Sequence, residues 1–394
     1  MATIIKKGDA MKNKNNILIY LSVILITILL LSMLSMYAQA TYKSSKTSGF
    51  SGNISARASV LYEPSNNTFI YEKNGDERLP MASTTKIMTA IVVEKKCAMD
   101  ETVIIGPESV GIEGSSAYLK EGDLYTVLEL IYALLLQSAN DAATALAYYT
   151  AGSIEEFADL MNAEAENLGL KNTHFTNPHG LDDADHYTTA KDMAILGAAL
   201  MKSDVLKKAV STYKKTFTYE DRTRTYINHN KLLRIYDGGT GIKTGFTKRS
   251  GRCLVGAAER DGMTFISVTL DAPSDWADHK ALLDYAFDSF EKIELCTKEK
   301  CSTKIKVLGG SYDYITVSAK ENLAVIKEKG ESSIIMHLSL PGYVIAPIKK
   351  GDVLGQAVFK VGDMTYTVDL VALDNVNSSR RDTILTKILN KIFR

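Results

Sequence analysis

Ser83 and Lys86 stand three residues apart at the start of an apolar run, Met81-Ala82-Ser83-Thr84-Thr85-Lys86-Ile87-Met88-Thr89-Ala90. On a helix, positions i and i+3 share a face, so the amine reaches the hydroxyl. A serine is a poor nucleophile at its own pKa and needs a base beside it, which a desolvated, neutral lysine can be. Any fold for this chain has to be organised around that pair. Taken alone the spacing is a weak signal, since it recurs at Ser211/Lys214 and Ser289/Lys292.

Order is what discriminates. After Ser83 come Ser138-Ala139-Asn140 and then Lys243-Thr244-Gly245, which occurs once in the chain. The other Ser-x-Asn copies, at Ser51 and Ser65, precede Ser83, and neither later Ser-x-x-Lys has a Ser-x-Asn after it. Only the set that begins at Ser83 has all the elements in order.

The chain has 394 residues with 46 basic and 46 acidic side chains, long enough for two domains and too evenly charged for a general nucleic-acid binder. Residues 1–16 are basic, and Ile17–Tyr37 carry no charge. Ala38-Gln39-Ala40 then supplies a small-x-small cleavage pattern, so residues 1–40 read as a signal peptide cut after Ala40. The same run is long enough to span a bilayer uncleaved; either way the functional part lies outside the cytoplasm. Residues 41–55, rich in Ser, Lys and Gly, read as a tether.

Alternation predicts a hairpin over Ala56–Tyr62 and Thr68–Tyr71, then a helix from the Ser83 segment to about Lys96. A second, mostly apolar helical region runs from Leu124 to Tyr149, with Asp123 as its cap and Ser138-Ala139-Asn140 in its middle. Polar groups there must be paired if buried. Helices are expected over Ile154–Leu168, Thr189–Met201 and about Asp275–Lys292. Strands are expected over Thr240–Thr247, Cys253–Glu259 and Met263–Leu270. The loop from His174 to His186 is rich in His and Asp, but no His-x-x-x-His or paired cysteine accompanies it. It reads as the rim of a cleft and not as a metal site.

Near Cys296 the pattern changes to short alternating runs between Gly and Pro turns, the signature of a small all-β domain. The expectation is an α+β chain: an antiparallel sheet with helices over 56–295, a small β domain over 296–376, and an amphipathic helix over 377–394. In that last segment Ile384, Leu385, Ile388, Leu389, Ile392 and Phe393 share one helical face. Arg380, Arg381, Lys387, Lys391 and Arg394 surround it, opposed by Asp382 alone, which suits an in-plane helix on anionic lipid. For Cys97, Cys253, Cys296 and Cys301, the sequence leaves free thiols and pairing both open, with Cys296 and Cys301 close enough to bridge.

The ordered triplet is the one described for penicillin-binding proteins and class A β-lactamases. Further blocks resemble the D-alanyl-D-alanine carboxypeptidases, low-molecular-mass penicillin-binding proteins whose β-lactamase/transpeptidase-like domain precedes a small β domain and an amphipathic anchor. These are Phe175-Thr176-Asn177-Pro178-His179-Gly180-Leu181, Thr188-Thr189-Ala190-x-Asp192-Met193, His229-Asn230-x-Leu232-Leu233 and Gly241–Thr247. The resemblance implies that Ser83 attacks the bond between the terminal D-alanines of a peptidoglycan stem pentapeptide, with Lys86 as base. Ser138 would relay a proton, and Asn140 would hold Lys86 and the substrate amide. Lys243 and Thr244 would engage the terminal carboxylate, Gly245 would let substrate approach, and the N–H groups of Ser83 and Phe246 would form an oxyanion hole. It implies no cofactor and no metal, β-lactams as covalent inhibitors, and a place on the outer face of the cytoplasmic membrane. Where many members carry a carboxylate-binding arginine, this chain has Asp271–His279 without one, so Lys243 and Thr244 act alone or Arg249 or Arg252 helps. The rival readings are a class A β-lactamase, whose Glu-x-x-Leu-Asn loop is absent, and a non-catalytic wall scaffold, against which the intact motifs argue.

Overall fold

A computed structural model describes residues 49–219, 223–330 and 333–379. The expected leader over 1–40 and the amphipathic segment beyond Ser379 lie outside them. Among the described residues no helix is long and apolar enough to cross a membrane.

The first layer is a five-stranded antiparallel sheet in the order β2-β1-β9-β8-β7. Its strands are β1 (Ala58–Glu63), β2 (Thr68–Lys73), β7 (Gly239–Thr247), β8 (Gly251–Arg260) and β9 (Met263–Leu270). Period-2 alternation divides β8 and β9 between two cores. Val255, Ala257, Ile266 and Val268 face one helical layer. Leu254, Ala258 and Phe265 face the other side, where Leu282 and Leu283 of a helix at Asp275–Ser289 cover them. A central sheet covered on both faces explains why β9 is buried along almost its whole length, Ser267 and Thr269 included.

The larger helical layer contains α1 (Lys86–Lys96), α2 (Val127–Leu136), α3 (Asn140–Ala151), α4 (Ile154–Asn167) and α5 (Ala190–Met201). Several starts are fixed by side-chain caps: Thr126 accepts from Glu129 N, Ser153 from Glu156 N and Thr189 from Asp192 N.

Two expectations need correction. The single helix expected over Leu124–Tyr149 is a short strand, β4 (Leu124–Thr126), followed by α2, a break, and α3. Ser138, at φ 61°, sits in the left-handed region that a helix cannot continue through. Asp123 does not cap; it pairs with Arg224 at 3.0 Å. The helix expected to reach Lys292 stops at Ser289, because β10 (Phe290–Cys296) pairs antiparallel with β13 (Leu323–Glu328). A hairpin of β5 (Lys214–Thr218) and β6 (Thr223–Ile227) was not expected from the sequence at all.

The C-terminal region is a six-stranded sheet, β14-β16-β17-β12-β11-β15, over a core of Ile305, Val307, Ile315, Val317, Phe359 and Leu370. Its strands are β11 (Ser302–Leu308), β12 (Tyr314–Ala319), β14 (Ile334–Ser339), β15 (Tyr343–Ile345), β16 (Val353–Val361) and β17 (Met364–Ala372). Cys296 and Cys301 are joined in a disulfide, whereas Cys97 and Cys253 are free thiols.

Candidate active site

Ser83 lies in a 3-10 turn, Ala82–Thr85, whose end runs directly into α1. Ala82 is forced to φ 47°, which costs about 1–2 kcal/mol for a residue with a Cβ. The turn is over-determined by its neighbours. Thr84 Oγ1 donates to Met81 O at 2.6 Å and Thr85 Oγ1 to Ala82 O at 2.8 Å. Thr85 Oγ1 also meets His186 Nε2 at 2.7 Å. Because His186 Nδ1 accepts from Thr176 N at 3.0 Å, the ring proton belongs on Nε2, which donates to Thr85. Burial pushes His186 down to about 4, so it holds this position as a neutral ring.

Two glycines let other segments close on the turn. A Cβ at Gly180 would fall 1.9 Å from Ala82 O, so the 174–186 loop presses directly on the strained residue. A Cβ at Gly245 would lie 3.0 Å from Ser83 N and 3.1 Å from Met81 O. The missing side chain of Gly245 thus admits the nucleophile's own turn to β7, a use distinct from the substrate approach expected of it.

Lys86 is fully buried and its Nζ has three partners. It lies 3.0 Å from Ser83 Oγ, 2.6 Å from Asn140 Oδ1 and 2.6 Å from the His179 carbonyl. Asn140 Nδ2 donates to Glu113 O, which fixes its amide so that Oδ1 faces the lysine. Both Oδ1 and a carbonyl can only accept. A neutral amine has two N–H groups to satisfy them and one lone pair left for the Ser83 hydroxyl. Burial drives the Lys86 amine well below its usual range; the nearby Lys243 charge pushes the same way, and Asp141 opposes them.

The second motif occupies the break between α2 and α3. Ser138 is nearly buried and borders the cleft. Asn140 N donates to Ser115 O at 2.7 Å. The adjoining Asp141 accepts from Ser116 Oγ, Ala117 N and Leu119 N, tying the 115–119 loop to the start of α3. The polar interruption of an apolar region is therefore a satisfied network with one hydroxyl turned to the cleft.

The third motif lies on β7. Thr244, Gly245 and Phe246 line a cleft of about 400 Å³ together with Ser83, Ser115, Ser138, His229, Lys231, Arg252, Asp275 and Trp276. Lys243 lies behind that wall. It is buried, its Nζ donates to Thr244 O at 2.9 Å, and burial lowers it to about 7. Together with burial, its charge disfavours protonation of Lys86 and of His229 on the cleft wall. Arg252, on β8 directly opposite Phe246, lines the cleft and is held by Asp275 at 3.0 Å. Arg249 instead donates to Asp183 O at 3.0 Å.

The D-alanyl-D-alanine carboxypeptidase family profile matches residues 42–274. The chain belongs to that family. A second profile, the penicillin-binding protein 5 C-terminal domain, matches residues 290–378. The D-alanyl-D-alanine carboxypeptidase DacF of Bacillus subtilis (strain 168) is 34% identical over 317 residues, covering 77% of this chain and 81% of the relative. DacC of Escherichia coli (strain K12) is 34% identical over 342 residues, covering 82% of this chain and 85% of that protein. Among solved structures, penicillin binding protein 5 from Haemophilus influenzae aligns with a TM-score of 0.68 at 29% identity, covering 83% of this chain and 99% of that one. As a member of the family, the chain is a serine-type hydrolase with the expected α+β architecture and a following β domain.

In this carboxypeptidase-family fold, the stretch without the family arginine is tied into the domain and puts Asp275 and Trp276 on the cleft wall. Asp275 binds Arg252, Asp278 accepts from Ser55 N and Ala56 N, and buried His279 bridges Ser267 and Thr269. Sequence reasoning singled out no role for Thr85, Asp141 or His186. Asp141 had a signal, since it follows Ser-x-Asn directly inside an apolar helix; Thr85 and His186 had none, being 101 positions apart.

Proposed function

We propose that the protein removes the terminal D-alanine from peptidoglycan stem pentapeptides through an acyl-enzyme on Ser83, and that β-lactams acylate the same hydroxyl. The observation that carries this reading is the arrangement at Lys86 Nζ, with two acceptors and one hydroxyl around a buried amine. Ser83 Oγ attacks the carbonyl of the penultimate residue while its proton passes to the Lys86 lone pair. The N–H groups of Ser83 and Phe246 face the developing oxyanion; a donor of this kind is worth about 3 kcal/mol of barrier. Collapse expels the terminal D-alanine, whose amine takes the proton from Lys86 by way of Ser138. Water then gives a proton to Lys86 and attacks the ester, and Lys86 passes that proton to Ser83 Oγ as the ester bond breaks.

For the substrate carboxylate, Thr244 and Arg252 offer donors on the cleft wall, and Lys243 contributes positive potential from behind it. Arg252 takes the place left by the missing arginine, with Asp275 fixing its direction.

The proposal extends to location. Residues 1–40 act as a leader cut after Ala40, the enzyme works at the outer face of the cytoplasmic membrane, and the amphipathic segment after Ser379 holds it on anionic lipid. Residues 377–379, expected as the start of that helix, instead bond to residues 309–311 of the β domain. The apolar run, the Ala-x-Ala pattern and the cationic amphipathic composition support this.

The test is release of D-alanine from a stem pentapeptide with and without penicillin, in wild type and Ser83→Ala. Wild type releases D-alanine and is blocked by penicillin, with the adduct located on Ser83 by mass spectrometry. The variant does neither while remaining folded. An adduct on another serine, or unchanged release by the variant, overturns the assignment. Rapid turnover of the penicilloyl adduct would instead favour a β-lactamase.

A further inference from the structure

We propose that the outer face of the C-terminal sheet at β11, β12 and β15 docks on an anionic lipid surface, beside the segment that begins at Arg380. The inference rests on the membrane-anchor reading of that segment and adds to it a second, folded contact.

Burial alternates along β11 and over the first half of β12, Tyr314–Val317. Ile305, Val307, Ile315 and Val317 point into the core. The opposite face mixes polar residues, Ser302, Lys304, Lys306 and Thr316, with large apolar and aromatic ones. It exposes Leu308 (39%), Tyr314 (60%), Tyr343 (55%) and Ile345 (69%), and Tyr312 (66%) extends the patch from the adjoining turn. Register puts them side by side. Lys306 lies between Tyr343 on β15 and Tyr314 on β12, and Leu308 lies opposite Ile345. None of the outward positions on these strands is a carboxylate; Asp313, in the turn before β12, is the nearest acid in the chain. Tyrosine, aliphatic side chains and lysine on one face is the composition that suits the headgroup boundary, where an amphipathic ring keeps its hydroxyl wet and its body buried.

What selects a membrane as the occupant is where the chain leaves the fold. Ser311 N donates to Asn377 O at 2.8 Å and Ser379 N to Gly309 O at 2.8 Å, with Gly310 bridged to Ser378. The last described residues are thus stitched to the segment between Leu308 and Tyr312, inside the patch. The next residues are Arg380 and Arg381, the start of the cationic amphipathic segment. A helix lying in the bilayer plane from that point would bring Leu308, Ile345 and the tyrosines to the same surface. A second apolar set, Ile334, Ile335 and Met336 on β14, lies at the far edge of the same sheet, away from the exit. It supplies an internal control.

The experiment is vesicle sedimentation of the exported, leader-free protein with phosphatidylglycerol-containing vesicles at low and high salt. Tyr343→Glu/Ile345→Glu should lower partitioning about tenfold or more although residues 380–394 are intact, because charge is placed where apolar surface must be buried. Ile335→Glu should partition like wild type, and both variants should label with penicillin, which reports a folded catalytic domain. Ile345→Trp should shift its emission to the blue on vesicle addition and be quenched by brominated lipid, whereas Ile335→Trp should not. Wild-type partitioning by the double variant, or an unquenched Ile345→Trp, overturns the proposal. So does loss of binding by Ile335→Glu to the same extent, since that would reflect a general effect on the sheet. Protein ending at Ser379 separates the two readings. If it binds as well as the intact chain while the double variant does not, the anchor reading fails and the sheet contact stands. If it loses all binding while the double variant loses none, the reverse holds.

Discussion

The catalytic cleft and the C-terminal sheet handle polar side chains in opposite ways. In the sheet, the buried set is almost wholly apolar, and lysines such as Lys304 and Lys306 point outward. Around the cleft, Lys86, Lys243, Asn140, Asp141 and His186 are all buried, and two residues with a Cβ, Ala82 and Ser138, occupy the left-handed region. Burying polar groups and straining backbone are costs that a fold accepts only where neighbours over-determine them. The comparison teaches that the cleft is a region where stability is subordinated to holding one amine neutral beside one hydroxyl.

The sharpest way to break that contrast is to restore charge in the cleft. Lys86→Arg places a guanidinium that cannot give up its proton where a neutral amine stood, so acylation by penicillin should fall about a thousandfold. Lys306→Arg in the sheet should leave acylation unchanged. Near-normal acylation by the first variant at neutral pH would remove Lys86 as the base.

Two glycines with similar backbone make the next comparison. Gly180 has φ +86° with Ala82 O in the way of any Cβ, whereas Gly351 has φ +93° with nothing within 4 Å. Gly351→Ala should cost about 1 kcal/mol of stability and no activity. Gly180→Ala must also displace the Ser83 turn, so thermal stability should drop further and acylation should fall with it. Equal effects on both readouts would mean that the loop does not position the nucleophile.

A smaller effect separates substrate binding from chemistry. Arg252→Gln should raise KM for pentapeptide about tenfold and leave penicillin acylation nearly intact, if the guanidinium meets the terminal carboxylate in the peptide complex. An amidated substrate should show no such change. Equal losses on acid and amide would reject the role.

The mildest contrast is in pH dependence. Burial lowers His179 to about 3, His186 to about 4 and His279 to about 3. Each is neutral in the native state, while the unfolded chain protonates near 6.5. Stability is therefore full above about 6.5 and is lost as pH falls toward 4, by up to about 1.4 kcal/mol per pH unit for each ring. Among the described residues the C-terminal sheet buries no histidine. Hydrogen exchange at pH 5 should show loss of protection in the catalytic domain before the sheet, and His279→Gln should soften the trend. Simultaneous loss in both regions would contradict it.

How much of this was legible in the sequence follows the same division. Strand β1 and much of the C-terminal sheet alternate with period 2, and β8 and β9 flank the Arg260-Asp261-Gly262 turn, so these could be read from local pattern. The motif residues Ser83, Lys86, Ser138 and Asn140 were legible from order and spacing, and the structure brings them together. What failed were places where a tertiary partner overrides propensity. The Leu124–Tyr149 region reads as one apolar helix, because nothing local says that the 115–119 loop will claim Gln137, Asn140 and Asp141. The burial of the Lys243 side chain, with Nζ on Thr244 O, has no local signal because it depends on the whole sheet. Phe290 extends an apolar helical pattern until β13 pairs with it.

The central claim is that Lys86 is a neutral amine whose lone pair faces Ser83, and titration of its labelled Nζ by NMR tests this most directly. The account predicts that Lys86 titrates well below 10.5 in the wild type. It also predicts that Lys243→Met, which removes the neighbouring positive charge, moves that titration upward. The acid limb of penicillin acylation should move up with it. A Lys86 that stays protonated through the pH range in which the enzyme acylates, or one indifferent to Lys243, would contradict the account.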